Sequence, residues 1–225
     1  LAKKILSLKN EYQKIDITAQ NNDVIIDACS NGYIDMVKFL LSIRYEYPYI
    51  DITAQNNSAI ILACANGHIG MVKFILSLKS DYPEWNIDIT AQYNFAIILA
   101  CKNGHIDMVK FILSLKPTLC QLAVDGYIAT FHRAIPPLKP PRRQLAADGY
   151  PVWSSVKSDH QEWNIDITAH NNYAITWACE NGHIDMVKFI LSIRDEYPEW
   201  NIDITAHNNY AIISACRNGH IDMVK

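Results

Sequence analysis

Apolar residues come in two kinds of short block that alternate along the chain. Phe95-Ala96-Ile97-Ile98-Leu99-Ala100-Cys101 is an almost unbroken apolar run, about two helical turns long. It stops at Asn103-Gly104, two residues that tolerate a left-handed backbone and so end a helix and turn the chain. In the block that follows, Ile106, Val109, Ile112 and Leu113 recur at helical spacing, with Asp107 placed to suit the positive end of the helix dipole. Ahead of both lies Ile87-Asp88-Ile89-Thr90, short and β-branched, and then polar Gln92-Tyr93-Asn94, which suits a turn or hairpin arm. One unit therefore reads as hairpin arm, short helix, tight turn and longer helix. Neither helix is long enough to stand alone in water, so neighbouring units must stack to bury their apolar faces.

The unit repeats. Asn-Gly recurs at Asn31, Asn66, Asn103, Asn181 and Asn218, at intervals of 35, 37, 78 and 37 residues. Ile-Asp-Ile-Thr-Ala recurs with its Asp at 16, 51, 88, 166 and 203, each 15 residues before its own Asn-Gly. A block of fixed length joined by a loop of variable length is how a solenoid of stacked units behaves.

The signature vanishes after Lys116 and resumes at Val156. Six of the nine prolines lie between, at 117, 136, 137, 140, 141 and 151, and the stretch holds no Asn. The 78-residue interval equals one 37-residue unit plus 41 more, so a stretch about the size of one repeat is added here. Pro136-Pro137 and Gly149-Tyr150-Pro151 fall where helices would run and would break them. Three readings stand open for residues 117–155: a degenerate repeat, a binding loop, or foreign sequence joined to the array. The expected organisation is thus repeats over 1–116, an irregular segment over 117–155, and repeats over 156–225.

Composition narrows the partners. A net charge of -3 argues against binding a nucleic-acid backbone, which calls for a basic surplus on one face. No run of 18 apolar residues occurs, and the first residues turn polar too soon for a signal peptide. We expect a soluble protein of a reducing compartment that binds neither membrane nor nucleic acid.

Repetition also decides the candidate chemistry. Cys29, Cys64, Cys101, Cys179 and Cys216 share one position at the end of the first helix, and His68, His105, His183 and His220 follow four of them. Each unit offers only two such ligands where a structural zinc wants four, so core packing is expected and no metal or other cofactor. Cys120 stands apart as a candidate free thiol. Asp107, Asp185 and Asp222 recur in register, as residues of a helical first turn do. With no nucleophile, base and orienting group together, neither catalysis nor a small-molecule substrate is expected.

Ala63-Cys64-Ala65-Asn66-Gly67-His68-Ile69-Gly70-Met71-Val72-Lys73-Phe74-Ile75-Leu76 resembles the core of an ankyrin repeat, and Ser58-Ala59-Ile60-Ile61-Leu62-Ala63 looks like a divergent start of its first helix. The family's Thr and Pro at that start are missing in every copy. The resemblance implies an all-α solenoid of ankyrin type, and the richness in Ile, Asn, Lys and Tyr is similar to arrays encoded by giant DNA viruses of amoebae. It further implies a scaffold or adaptor that binds a protein partner in the cytoplasm, a host's cytoplasm if viral. The alternative is a structural spacer within a longer repeat protein or particle.

In such arrays the hairpin tips and first helices line the recognition face. By that resemblance the contact residues are Gln55, Asn56 and Asn57; Gln92, Tyr93 and Asn94; His170, Asn171 and Asn172; and His207, Asn208 and Asn209, with Gln20-Asn21-Asn22 the matching first tip. Asn and Gln there could equally be solubilising. Tyr82, Trp85, Trp163, Tyr197 and Trp200 lie in the long loops. Trp85 and Trp200 are candidate anchors for a partner, and stacking on a neighbouring loop is the competing reading.

Overall fold

The computed structural model describes residues 16–115 and 163–225. Residues 1–113 with 165–225 form one compact unit and residues 114–164 a second. All elements below belong to the first, α6 running one residue beyond it. The irregular stretch 117–155 and Cys120 lie outside the described residues.

Among the described residues five helical repeats follow one another. The first helices are α1 (Ala19–Ser30), α3 (Ala54–Ala65), α5 (Ala91–Lys102), α7 (Ala169–Glu180) and α9 (Ala206–Arg217). The second helices are α2 (Ile34–Ser42), α4 (Ile69–Asp81), α6 (Ile106–Ser114) and α8 (Ile184–Ser192), with a 3-10 turn at Ile221–Met223 in the fifth repeat. First helices pack on one another in series, α1 on α3, α3 on α5, α5 on α7 and α7 on α9, and α2, α4 and α8 pack back on the first helices of their own repeats.

Two local expectations need correction. No strand occurs among the described residues, so the arm is a turn and not a β-hairpin. Its Asp accepts from both the backbone N–H and the hydroxyl of the Thr two residues on, at 2.8 and 2.7 Å for Asp51 and Thr53. Nor is the second helix the longer one in most repeats: α2, α6 and α8 span nine residues against twelve for each first helix, and α4, with thirteen, is the exception. The first helices gain length because the three tip residues wind into a left-handed turn that precedes the right-handed helix, at φ 54°, 55° and 66° for Gln55, Asn56 and Asn57. Left-handed backbone costs most side chains about 1–2 kcal/mol per residue and Asn less, which explains why Asn fills nine of the fifteen such tip positions.

Each first helix ends as its Asn-Gly predicts. Gly67 sits at φ 74°, and the His68 N–H reaches back to the Ala63 carbonyl at 2.9 Å, closing the last turn with a left-handed cap. The glycine is needed twice over, because a Cβ on Gly67 would lie 2.8 Å from His105 Nδ1 of the next repeat.

The core lies between layers. Ile60, Ile75, Ile97, Met108, Ile112 and Ile175 are each at most 1 % exposed, and burying such a side chain contributes about 1.5–3 kcal/mol. Nine-residue helices are too short to persist alone, so stability resides in the stacking.

The repeated cysteines are core residues in four of five copies. Cys29, Cys64, Cys101 and Cys179 are buried and free, and Cys216 is exposed. Burial pushes the Cys29 thiol up to about 12 and Cys179 to about 11, and raises Cys64 and Cys101 as well. Because the thiolate is the nucleophile, a thiol reagent at pH 8 is expected to label Cys216 rapidly and these four only after denaturation. Mass spectrometry of the native protein that found Cys64 or Cys101 labelled as fast as Cys216 would contradict that packing.

Candidate functional site

The tips and the outward side of the first helices form one surface, and its three tip positions do different work. The third is buried. Asn57 Oδ1 accepts from the Asp88 N–H at 3.0 Å while its Nδ2 donates to the Asn86 carbonyl at 3.1 Å. Asn172 does the same with Asp203 and Asn201, and Asn22 and Asn94 accept from Asp51 and Asp166. Asn57, Asn94 and Asn172 were expected at the recognition face; they are internal rungs that tie each repeat to the next. Asn209, in the last repeat, is exposed.

The first tip position reaches the other way. Gln55 Nε2 donates to the Gln20 and Asn21 carbonyls, and Gln92 Nε2 to those of Gln55 and Asn56. His170 Nε2 lies 3.5 Å from the Gln92 carbonyl and His207 Nε2 lies 3.3 Å from that of His170. Their outer edges stay exposed, so Gln55, Gln92, His170 and His207 remain on the surface. The second position holds Asn56, Tyr93, Asn171 and Asn208, all exposed.

Tyr93 differs from the rest of its row. It is 80 % exposed, and it holds φ 57° where the other four repeats place Asn. A bulky residue in a left-handed conformation carries strain, and strain of this kind gathers at functional positions.

Around Tyr93 runs a chain of rings that tip residues alone do not reveal. The His170 ring meets Tyr93 edge-on at 5.8 Å and stacks on Tyr173 at 5.7 Å. Tyr173 stacks on Trp177 at 4.8 Å and tilts against His207 at 4.9 Å. Phe95 lies edge-on to both His170 and Trp177, and the Lys102 ammonium stands 4.8 Å from the Trp177 ring centre. An open groove of ≈ 600 Å³ beside them is lined by Asn56, Asp88, Gln92, Tyr93, Phe95 and His170, among others.

Phe95, Tyr173 and Trp177 are absent from the expected contacts, although the sequence carried a signal for them. At the first residue after the tip the repeats read Asp23, Ser58, Phe95, Tyr173 and Tyr210; four residues on they read Asp27, Leu62, Leu99, Trp177 and Ser214. These columns vary more than the tips.

Trp85 and Trp200 fall out of the candidate site. Each is 6 % exposed and stacks on a tyrosine of its own loop, Tyr82 at 4.3 Å and Tyr197 at 4.2 Å. Arg44 of the preceding repeat lies over Trp85 at 4.6 Å and pairs with Glu84 at 3.1 Å. Trp85 ties its loop to the preceding repeat, and Trp200 is buried within its own loop.

The repeated histidines are interlayer packing. The rings of His68, His105, His183 and His220 lie against Gly32, Gly67, Gly104 and Gly182 of the preceding repeat. Burial, and after it the nearby His183 and His68, holds His105 below its ordinary value of 6.5, against a backbone hydrogen bond at Ala65 that acts in the opposite sense. The unfolded chain therefore takes up a proton that folded His105 resists, so its contribution is complete above about pH 6.5 and lost as pH falls below that, down to the lowered value. Urea midpoints at pH 7.5 and pH 5.5 are expected to show this loss, and His105→Gln to reduce it; an unchanged slope in the variant would contradict the assignment.

The surface offers polar amides at the tips and aromatic faces beside them, which suit binding by contact area and hydrogen bonds. Asp107 and Asp185 are exposed first-turn residues of α6 and α8 and do not line that groove. Among the described residues no three His, Cys, Asp or Glu side chains gather as a metal site would need, and no helix is long and apolar enough to cross a membrane.

No curated protein sequence matches the chain. The family profile of ankyrin repeats matches it three times, over residues 1–91, 25–123 and 149–225. With first helices stacked in series among the described residues, the chain belongs to the ankyrin-repeat family.

Proposed function

We propose that this chain is a non-catalytic scaffold that binds a partner protein, and that the binding surface centres on Tyr93, Phe95, His170, Tyr173 and Trp177. Ankyrin repeats are in general protein-interaction modules, and one observation concentrates the reading here: Tyr93 is 80 % exposed on a backbone that disfavours it. Large, rigid aromatic side chains dominate interface energetics, so a cluster of them among otherwise near-identical repeats is where affinity would reside. Asn56, Asn171 and Asn208 form its polar rim.

The sister repeats supply the test. Tyr93→Asn, Phe95→Ser and Trp177→Leu put into the third and fourth repeats residues that other repeats already carry at the same positions, so the fold is kept. In quantitative affinity capture from cell lysate, the unaltered chain is expected to retain a defined set of proteins that the triple variant loses by about tenfold or more. Equal retention by both would put binding away from this cluster, and retention by neither would favour the spacer reading. From the resemblance of its repeats to giant-virus arrays we also infer that the adaptor acts in the cytoplasm of an amoebal host; a tagged chain excluded from that cytoplasm would contradict this.

A further inference from the structure

We propose that residues 117–157 are an insertion that interrupts the chain but not the array, so that the third and fourth repeats are direct neighbours and share one binding surface. Only described residues carry the argument. α5 packs on α7 as α3 packs on α5. The rung between consecutive repeats is present, with the Asp166 N–H donating to Asn94 Oδ1 at 3.1 Å, against 3.0 Å for Asp88 and Asn57. His183 lies against Gly104 as His105 lies against Gly67, the nearest ring atom 2.7 Å from where a Cβ would stand. Lys110 stands 5.7 Å from the Phe189 ring centre, as Lys73 stands 5.3 Å from that of Phe111. A repeat interposed between the two would abolish each of these contacts.

One bond differs at this junction. Asn66, Asn103 and Asn218 donate to a carbonyl of the preceding repeat, whereas Asn181 donates to Trp177 of its own helix.

Chain arithmetic agrees. Leu115-Lys116 and Val156-Lys157 both occupy the place of Leu78-Lys79, so joining Lys116 to Ser158 returns the interval from Asn103 to Asn181 to 37 residues. A degenerate repeat in line is thereby set aside. The ring cluster is then assembled from both sides of the insertion, Tyr93 and Phe95 before it and His170, Tyr173 and Trp177 after it.

Deleting residues 117–157 tests this without reference to any partner. Shortening a closed loop lowers its entropic cost slowly, so the deletion variant is expected to unfold in one transition with a midpoint equal to the full chain's or about 3 °C higher. A midpoint about 10 °C lower, or two separate transitions, would overturn the proposal. In the intact chain, Gly104→Ala is expected to lower the midpoint by about 5 °C more than Gly219→Ala. Both glycines sit at φ 74°, but only Gly104 has a histidine ring against it, and Gly219 has nothing within 4 Å. Equal losses would overturn the proposal even if the deletion variant failed to fold.

Discussion

Asn57→Ala is expected to destabilise the chain by about 4 kcal/mol, lowering the melting midpoint by roughly 10 °C. The residue is 8 % exposed, and both ends of its amide are engaged by the next repeat. Alanine leaves the part-buried Asp88 N–H and the Asn86 carbonyl without their partner, at about 1–2 kcal/mol each. It also occupies φ 66°, where alanine is worse than asparagine by about 1 kcal/mol. Asn56→Ala is the control, since Asn56 shares the left-handed backbone but is exposed; only the backbone cost of about 1 kcal/mol should remain. Urea titration followed by far-ultraviolet circular dichroism measures both. Equal losses in the two variants would mean that the buried amide is not a rung.

Ile97→Ala should cost a similar amount, about 3–4 kcal/mol, by leaving a cavity between layers. Ile25, Ile60, Ile97 and Ile175 share one column of the first helices and are 1–2 % exposed. In the fifth repeat the same column holds Ile212, which is 51 % exposed. The column is therefore covered by the following repeat, and Ile212→Ala in this chain should cost about 1 kcal/mol or less. If the two substitutions proved equally costly, the isoleucines would be stabilising their own repeats and the stacking account would fail.

Much of the fold was legible because its determinants are local and repeated. Helical spacing placed Val109 and Ile112 in the core, Asn-Gly marked the end of each first helix, and the shared position of the cysteines marked packing. Two features stayed hidden for different reasons. The left-handed tips look like polar hairpin tips in sequence, because Asn favours both exposed turns and left-handed backbone. What distinguished the rung was constancy: the third tip residue is Asn in all five repeats, and a residue that never varies is a poor candidate for recognition. Adjacency of the third and fourth repeats could not be read at all, since an interval of 78 residues fits an interposed repeat as well as an insertion. Contacts between the two repeats, that of Asn94 with Asp166 among them, separate the two.

The candidate site was half legible. Resemblance put Tyr93 and His170 on the recognition side, but treating the tips as blocks drew attention from the first-helix columns where Phe95 and Trp177 stand. The loop tryptophans misled for a physical reason. An indole in a loop exposes or buries its ring according to the neighbour it finds, and Trp85 finds Tyr82 and Arg44.

The direct measurement of layers stacked in register is backbone amide exchange at Asp51, Asp88, Asp166 and Asp203. Each N–H lies in an irregular segment and donates only across a layer boundary, to Asn22, Asn57, Asn94 and Asn172 in turn. Protection of all four to the level of the helix interiors is the predicted result. Exchange at the rate of loop amides, at Asp166 above all, would contradict it.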